Sequence, residues 1–155
     1  MAEIVQVNFD ALWDHVTREF ECGRDSIHGP AHWRRVEQNA LKIAVSNGAI
    51  IEVVRLFAVF HDSRRQDDGA DYKHGEREAE YAASLRGILF DLSDSHLDLL
   101  QYACRWHTHG RLSDDPTVGT CWDADRLDLT RIGIAPKAEF MSTALGRSLA
   151  SQGQG

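Results

Sequence analysis

The chain has no paired-cysteine framework: its 3 cysteines, Cys22, Cys104 and Cys121, are odd in number and scattered, and no two form a CxxC pair. A disulfide scaffold and a structural zinc cluster are therefore not expected, and a reducing compartment, the cytoplasm, is. The sequence also lacks any run of Lys or Arg, and its 17 basic against 24 acidic side chains leave a formal charge of −7. That balance disfavours nucleic acid as the main partner. No apolar stretch approaches the roughly 20 residues of a membrane span, so no membrane partner is expected. Met1–Phe9 carries no basic segment followed by an apolar run, so no signal peptide is expected either. Internal repeats are absent. The 155 residues suit one domain over 1–150, with 151–155 read as a disordered tail.

Alternating strand patterns are missing too, and what remains is helical periodicity. Leu12, Val16 and Phe20 recur every four residues and predict a helix over about Phe9–Cys22. A second starts near Pro30, which suits a first turn, and ends near Asn47-Gly48. The third, Ile51–His61, is apolar nearly all round and is read as the buried central element. Its β-branched run would also fit an isolated strand, but its helical neighbours favour helix. Further helices are predicted over His74 to about Phe90, from Ser93 or Ser95 to near His107, over Thr117–Thr130, and over Pro136–Leu149. The expected fold is an all-α, single-domain bundle of six to seven helices.

The chain has 8 histidines, and their placement carries more than their number. His61-Asp62 closes the most apolar helix, where an unpaired imidazole and carboxylate would each cost roughly 1–3 kcal/mol or more. One cation would serve both. His32 lies one turn before Val36 on the core-facing stripe of the second helix. His107 continues the stripe Leu97, Leu100, Cys104, and Asp125 shares a face with Trp122 and Leu129. His74 opens the fourth helix on the face of Glu78 and Tyr81. A single inward histidine is usually a core residue bonded to a carbonyl; five elements each offering a His or Asp weaken that reading. Two imidazoles and two carboxylates suit a divalent transition metal, Mn, Fe, Co, Ni or Zn. Asp123 and Asp128 are read as solvated charges or local caps, and His15 as surface. His28 is read as a loop-surface residue and His109 as a pocket residue.

The ordered pattern of His32, His61-Asp62 and Asp125 resembles the signature of the HD superfamily of metal-dependent phosphohydrolases. His32-Trp33-Arg34-Arg35-Val36 looks like its HxxRV start, Phe60-His61-Asp62 like its apolar-HD dyad, and Asp123-Ala124-Asp125-Arg126-Leu127 like its DADxL segment. The resemblance covers roughly residues 29–133. It implies an HD-domain-like bundle with a metal at its centre, bound by His32, His61, Asp62 and Asp125. In a two-metal subset the dyad Asp bridges and two more histidines join. His74-Gly75-Glu76-Arg77-Glu78-Ala79 resembles that subset's HxxxGA segment, with Glu78 in place of its Gly. Trp106-His107-Thr108-His109-Gly110-Arg111 resembles its aromatic-HTxGR segment. His74 and His107 are thus candidates for a second ion or, with one ion, for acid–base work beside Asp62.

The implied activity is hydrolysis of a phosphate ester or phosphoanhydride, nucleotide-like or a small phosphorylated metabolite, by a metal-activated water. Arg64 and Arg65 follow the dyad and, with His109, are candidates to hold the phosphate. Pairing of those arginines with Asp67, Asp68 or Asp71 is the structural alternative. Di-iron oxygenase chemistry at the same site, or a non-catalytic metal- or ligand-binding helical module, are the rival functions.

Overall fold

The computed structural model describes residues 8–23 and 25–152. Seven α-helices account for the architecture, and no strand or sheet is present among the described residues: α1 (Phe9–Glu19), α2 (Pro30–Asn47), α3 (Ile51–Phe60), α4 (His74–Leu85), α5 (Asp94–Trp106), α6 (Pro116–Leu127) and α7 (Ala144–Gln152). Each boundary has a local cause. Asn8 Oδ1 accepts the Ala11 N–H at 3.1 Å, and Asp115 Oδ1 accepts the N–H groups of Thr117 and Val118 at 2.8 and 2.9 Å. Pro30 and Pro116 occupy first turns. Gly48, at φ 71°, closes α2 in the left-handed conformation.

The apolar run of α3 is helical and central. Val53, Val54, Leu56, Phe57, Ala58, Val59 and Phe60 are all buried, and α3 packs against α1, α2, α4, α5 and α6. Because α3 is enclosed, the His61-Asp62 pair at its end opens into the interior rather than into water.

Several predicted ends differ. The first helix stops at Glu19, short of Cys22. The fourth stops at Leu85, not Phe90, because Gly87 turns the chain at φ 84° and sends Phe90 back into the core against Phe60. The sixth tightens after Leu127 into a 3-10 turn over Asp128–Ile132, which ends at Gly133. The seventh begins at Ala144 rather than Pro136, after a separate 3-10 turn at Ala138–Phe140. Its start is set by Asp123, whose oxygens accept the Ser142 and Thr143 N–H groups at 2.7 and 2.8 Å. Asp123 is therefore a buried long-range cap, not a solvated charge or a local one. The tail also needs correction: α7 buries Ala150 and runs on through Gln152. Ser151 and Gln152 are helical, and 153–155 lie outside the described residues.

Among the described residues no helix is long and apolar enough to cross a membrane.

Candidate metal centre

Two helices and the turn after α3 converge on one buried point. His32 comes from the first turn of α2, His61 and Asp62 follow α3, and Asp125 comes from the last turn of α6. His32 Nε2 lies 3.0 Å from His61 Nε2, 3.2 Å from Asp62 Oδ2 and 3.1 Å from Asp125 Oδ1. His61 Nε2 is 3.4 Å from both carboxylate oxygens. Donor atoms about 2.1 Å from a shared ion lie roughly this far apart along the edges of a coordination polyhedron.

The ring orientations are set from behind. His61 Nδ1 donates to the carbonyls of Phe57 and Ala58 at 3.2 and 3.0 Å, and Phe57 stacks on the ring. His32 Nδ1 bonds to Asp128 Oδ2 at 2.6 Å, and Arg35 Nε donates to the same carboxylate at 2.8 Å. Each imidazole thus turns Nε2 inward, where the Nδ1 partner fixes the tautomer that leaves Nε2 able to bind a cation. Asp128, read from sequence as solvated or a local cap, is instead buried, because the 3-10 turn swings it under α2.

A second group adjoins the first through Asp62, whose Oδ2 faces His32 and His61 while Oδ1 lies 3.5 Å from His107 Nε2 and 3.7 Å from His74 Nδ1. His107 Nδ1 donates to the Cys104 carbonyl at 2.7 Å, leaving Nε2 buried with no hydrogen-bond partner; His74 Nε2 is likewise buried and unpartnered. Glu78, one turn after His74, is fully buried with Oε1 2.7 Å from His74 Nδ1. One donor atom each from Asp62, His74, Glu78 and His107 falls within 4.8 Å of the others. Gly75 permits this approach: a Cβ there would lie 2.7 Å from the Cys104 and Arg105 carbonyl oxygens.

Burial opposes charge on the His32 ring, but its bonds to Asp125, Asp128 and Asp62 outweigh it and lift its pKa to about 10. Burial would raise Asp62 and Asp125, yet the neighbouring imidazoles, His61 foremost, hold both well below the usual carboxylate range. Burial, with His107 adding to it, pushes His74 down to about 3. Burial and then the Asp62 charge push Glu78 well up. Without a cation, the cluster relies on protons to offset its carboxylates. The nitrogen and oxygen donors, their spacing and the orphaned Nε2 atoms fit a divalent cation.

A cavity of about 420 Å³ opens onto this centre, its floor including Asp62, Asp125, His28 and His107. Arg65, Arg126 and Arg131 contribute guanidinium groups, and Leu129, Ile132 and Phe140 an apolar wall. His28 is not a surface loop residue: it is buried, with Nδ1 3.3 Å from Asp62 Oδ2. The Trp33 indole anchors it by donating to its carbonyl at 2.7 Å.

The phosphate candidates separate. Arg65 reaches the cavity, with Nε 3.4 Å from Asp62 Oδ1 and its guanidinium braced by the Asp67 and Gly69 carbonyls. Arg64 is not brought there: its guanidinium lies over the Tyr81 ring, 4.8 Å from the centroid, because its backbone N–H is held by Glu78 on that side. His109 is exposed, packs against Trp106, and lines a neighbouring cavity with Arg65, His74 and Thr108. His28, Glu78, Asp128 and Arg131 are the residues that sequence reasoning left out of the site. Glu78 and His28 had a visible signal, a spacing of four from His74 and from His32.

The chain is similar to the crystal structure of a predicted HD superfamily hydrolase from an uncultured Thermotogales bacterium. The two are 27% identical and superpose with a TM-score of 0.74, covering 97% of this chain and 87% of the other. No family model matches the chain, and no curated protein does.

Proposed function

This chain belongs to the HD superfamily, and from that premise we propose that it is a cation-dependent hydrolase cleaving a phosphate ester or phosphoanhydride. The observation that carries the reading is the convergence of His32 Nε2, His61 Nε2, Asp62 Oδ2 and Asp125 Oδ1 at separations of 3.0–3.4 Å. These four residues would hold the ion. When bound, the ion would supply an acidified water and positive charge beside a phosphoryl oxygen.

The chain's own groups supply the rest. Arg65 and Arg131 would orient the phosphate with planar, charge-assisted donors. His28, on the cavity floor, is placed to give a proton to the leaving oxygen or to take one from water, and His107 would share that work where a single ion is bound. His74, with its pKa near 3, suits a neutral donor rather than a proton carrier. Leu129, Ile132 and Phe140 would pack the non-phosphate part of the substrate and exclude water around it.

The test is chelator-free purification, elemental analysis, and assay against phosphomonoesters and nucleoside polyphosphates with Mn, Co, Ni or Zn added. Phosphate release that needs the ion and is lost in Asp125→Ala supports the reading. A wild type that takes up no ion sinks it. Loaded iron with oxygen consumption in place of phosphate release would transfer the site to oxygenase chemistry.

A further inference from the structure

We propose that Glu78 is an anionic donor of a second divalent-cation site, shared with Asp62, His74 and His107, in which it stands where the resembling HxxxGA segment has glycine. The inference rests on the cation-dependent reading of the first cluster and extends it to a residue that reading does not use.

Glu78 has no exposed surface, and its Oε1 approaches the same His74 nitrogen, Nδ1, as Asp62 Oδ1 does, at 2.7 and 3.7 Å. Its hydrogen-bond donors are the His74 ring, 2.7 and 3.0 Å from Oε1 and Oε2, and the Arg64 backbone N–H at 3.3 Å. The amide is neutral, and the ring is shared with Asp62, whose Oδ1 lies 3.7 Å from the same Nδ1. No Lys or Arg side chain is paired with Glu78 among the described residues, whereas the nearby Asp62 has Arg65. Enclosing two carboxylates this close together is costly unless a cation is shared between them.

The surrounding donors point the same way. His107 Nε2 is buried, unpartnered and directed at Asp62 Oδ1, the oxygen that the first cluster leaves free. Glu78 lies at i+4 from His74, so one face of α4 delivers both to the same point. The close approach of α4 to α5 at Gly75 then brings His107 to them. Two carboxylates and two imidazoles make a set suited to Mn, Fe or Co.

The experiment is titration of chelator-treated protein with Co²⁺, followed by calorimetry and by visible absorption, for wild type, Glu78→Gln and Glu78→Ala, with circular dichroism to verify folding. Glutamine keeps the shape and an oxygen that can accept the His74 N–H, but it removes the charge. Two equivalents in the wild type are expected, with the second weakened at least tenfold in both variants, its absorption band altered and the first equivalent retained. Two equivalents of unchanged affinity in Glu78→Gln would overturn the proposal and leave Glu78 as a positioning partner of His74. A single equivalent in the wild type would overturn it while leaving the first site standing; none would remove the cation-dependent reading itself.

Discussion

His32 and Asp128 are joined by a 2.6 Å bond between Nδ1 and Oδ2, so the imidazole offered to the first cluster is oriented by a carboxylate from the turn after α6. Such a partner fixes the tautomer and raises the basicity of the ring. Asp128→Asn is expected to weaken uptake of the first ion by about 10–100-fold, with helix content unchanged. Competition with a metal-binding dye measures it; undiminished affinity would show that packing within α2 and its neighbours holds the ring without that carboxylate.

The same ring predicts opposite pH trends for the metal-free and metal-bound protein. His32 has a folded pKa of about 10 against an ordinary 6.5. Its contribution to stability is therefore full below pH 6.5 and is lost as pH rises through 10. A cation displaces that proton, so its affinity increases over the same interval. Chelator-treated protein should melt at progressively lower temperature from pH 7 to 9.5, while calorimetry in two buffers shows proton release on metal uptake. Parallel trends in both measurements would refute this assignment of the proton.

The legible parts of this protein were those with a local cause. Pro30, Gly48 and the Leu97–Leu100–Cys104 stripe mark helices by spacing and capping, and they placed His32 and His107 on inward faces correctly. What was hidden depends on tertiary approach. Asp128 follows Asp125 by three residues, and nothing local shows that α6 will tighten there and carry it beneath His32. His28 sits in a loop four residues before His32, and the Trp33 indole bond reveals that it is pinned inward. Arg64 and Arg65 are indistinguishable as neighbours in sequence. The turn after α3 sends one over Tyr81 and the other to Asp62.

Gly75 makes a steric prediction. A methyl at this position would meet two backbone oxygens of α5 at 2.7 Å, and backbone cannot swing aside as a side chain does. Gly75→Ala should cost about 1–3 kcal/mol as an overpacking change, despite alanine's better helix propensity. Moving α4 away would also separate His74 from His107, whose ring centroids are 4.9 Å apart. Chemical denaturation of the metal-free protein checks the first effect and metal stoichiometry the second. A stabilised variant would mean that α4 and α5 shift at no cost.

Phe140 bears on which phosphate compounds the cavity accepts. Phe140 is 51% exposed and lines the cavity together with Leu129, Ile132 and Arg65. An apolar or planar group on the substrate would cover the apolar wall while its phosphate reaches Asp62 and Asp125. A lost aromatic contact of this kind removes binding common to ground and transition states, so KM changes while kcat holds. Phe140→Ala is expected to raise KM about 5–30-fold for an aryl or nucleoside phosphate, the equivalent of 1–2 kcal/mol, and to leave a small alkyl phosphate nearly unaffected. Because Arg126 Nη1 donates to the Phe140 carbonyl at 2.6 Å, a bond through backbone, the substitution removes the ring without removing that tether. Equal losses for both substrates would place the non-phosphate group elsewhere and leave the wall as packing for the turn that bears it.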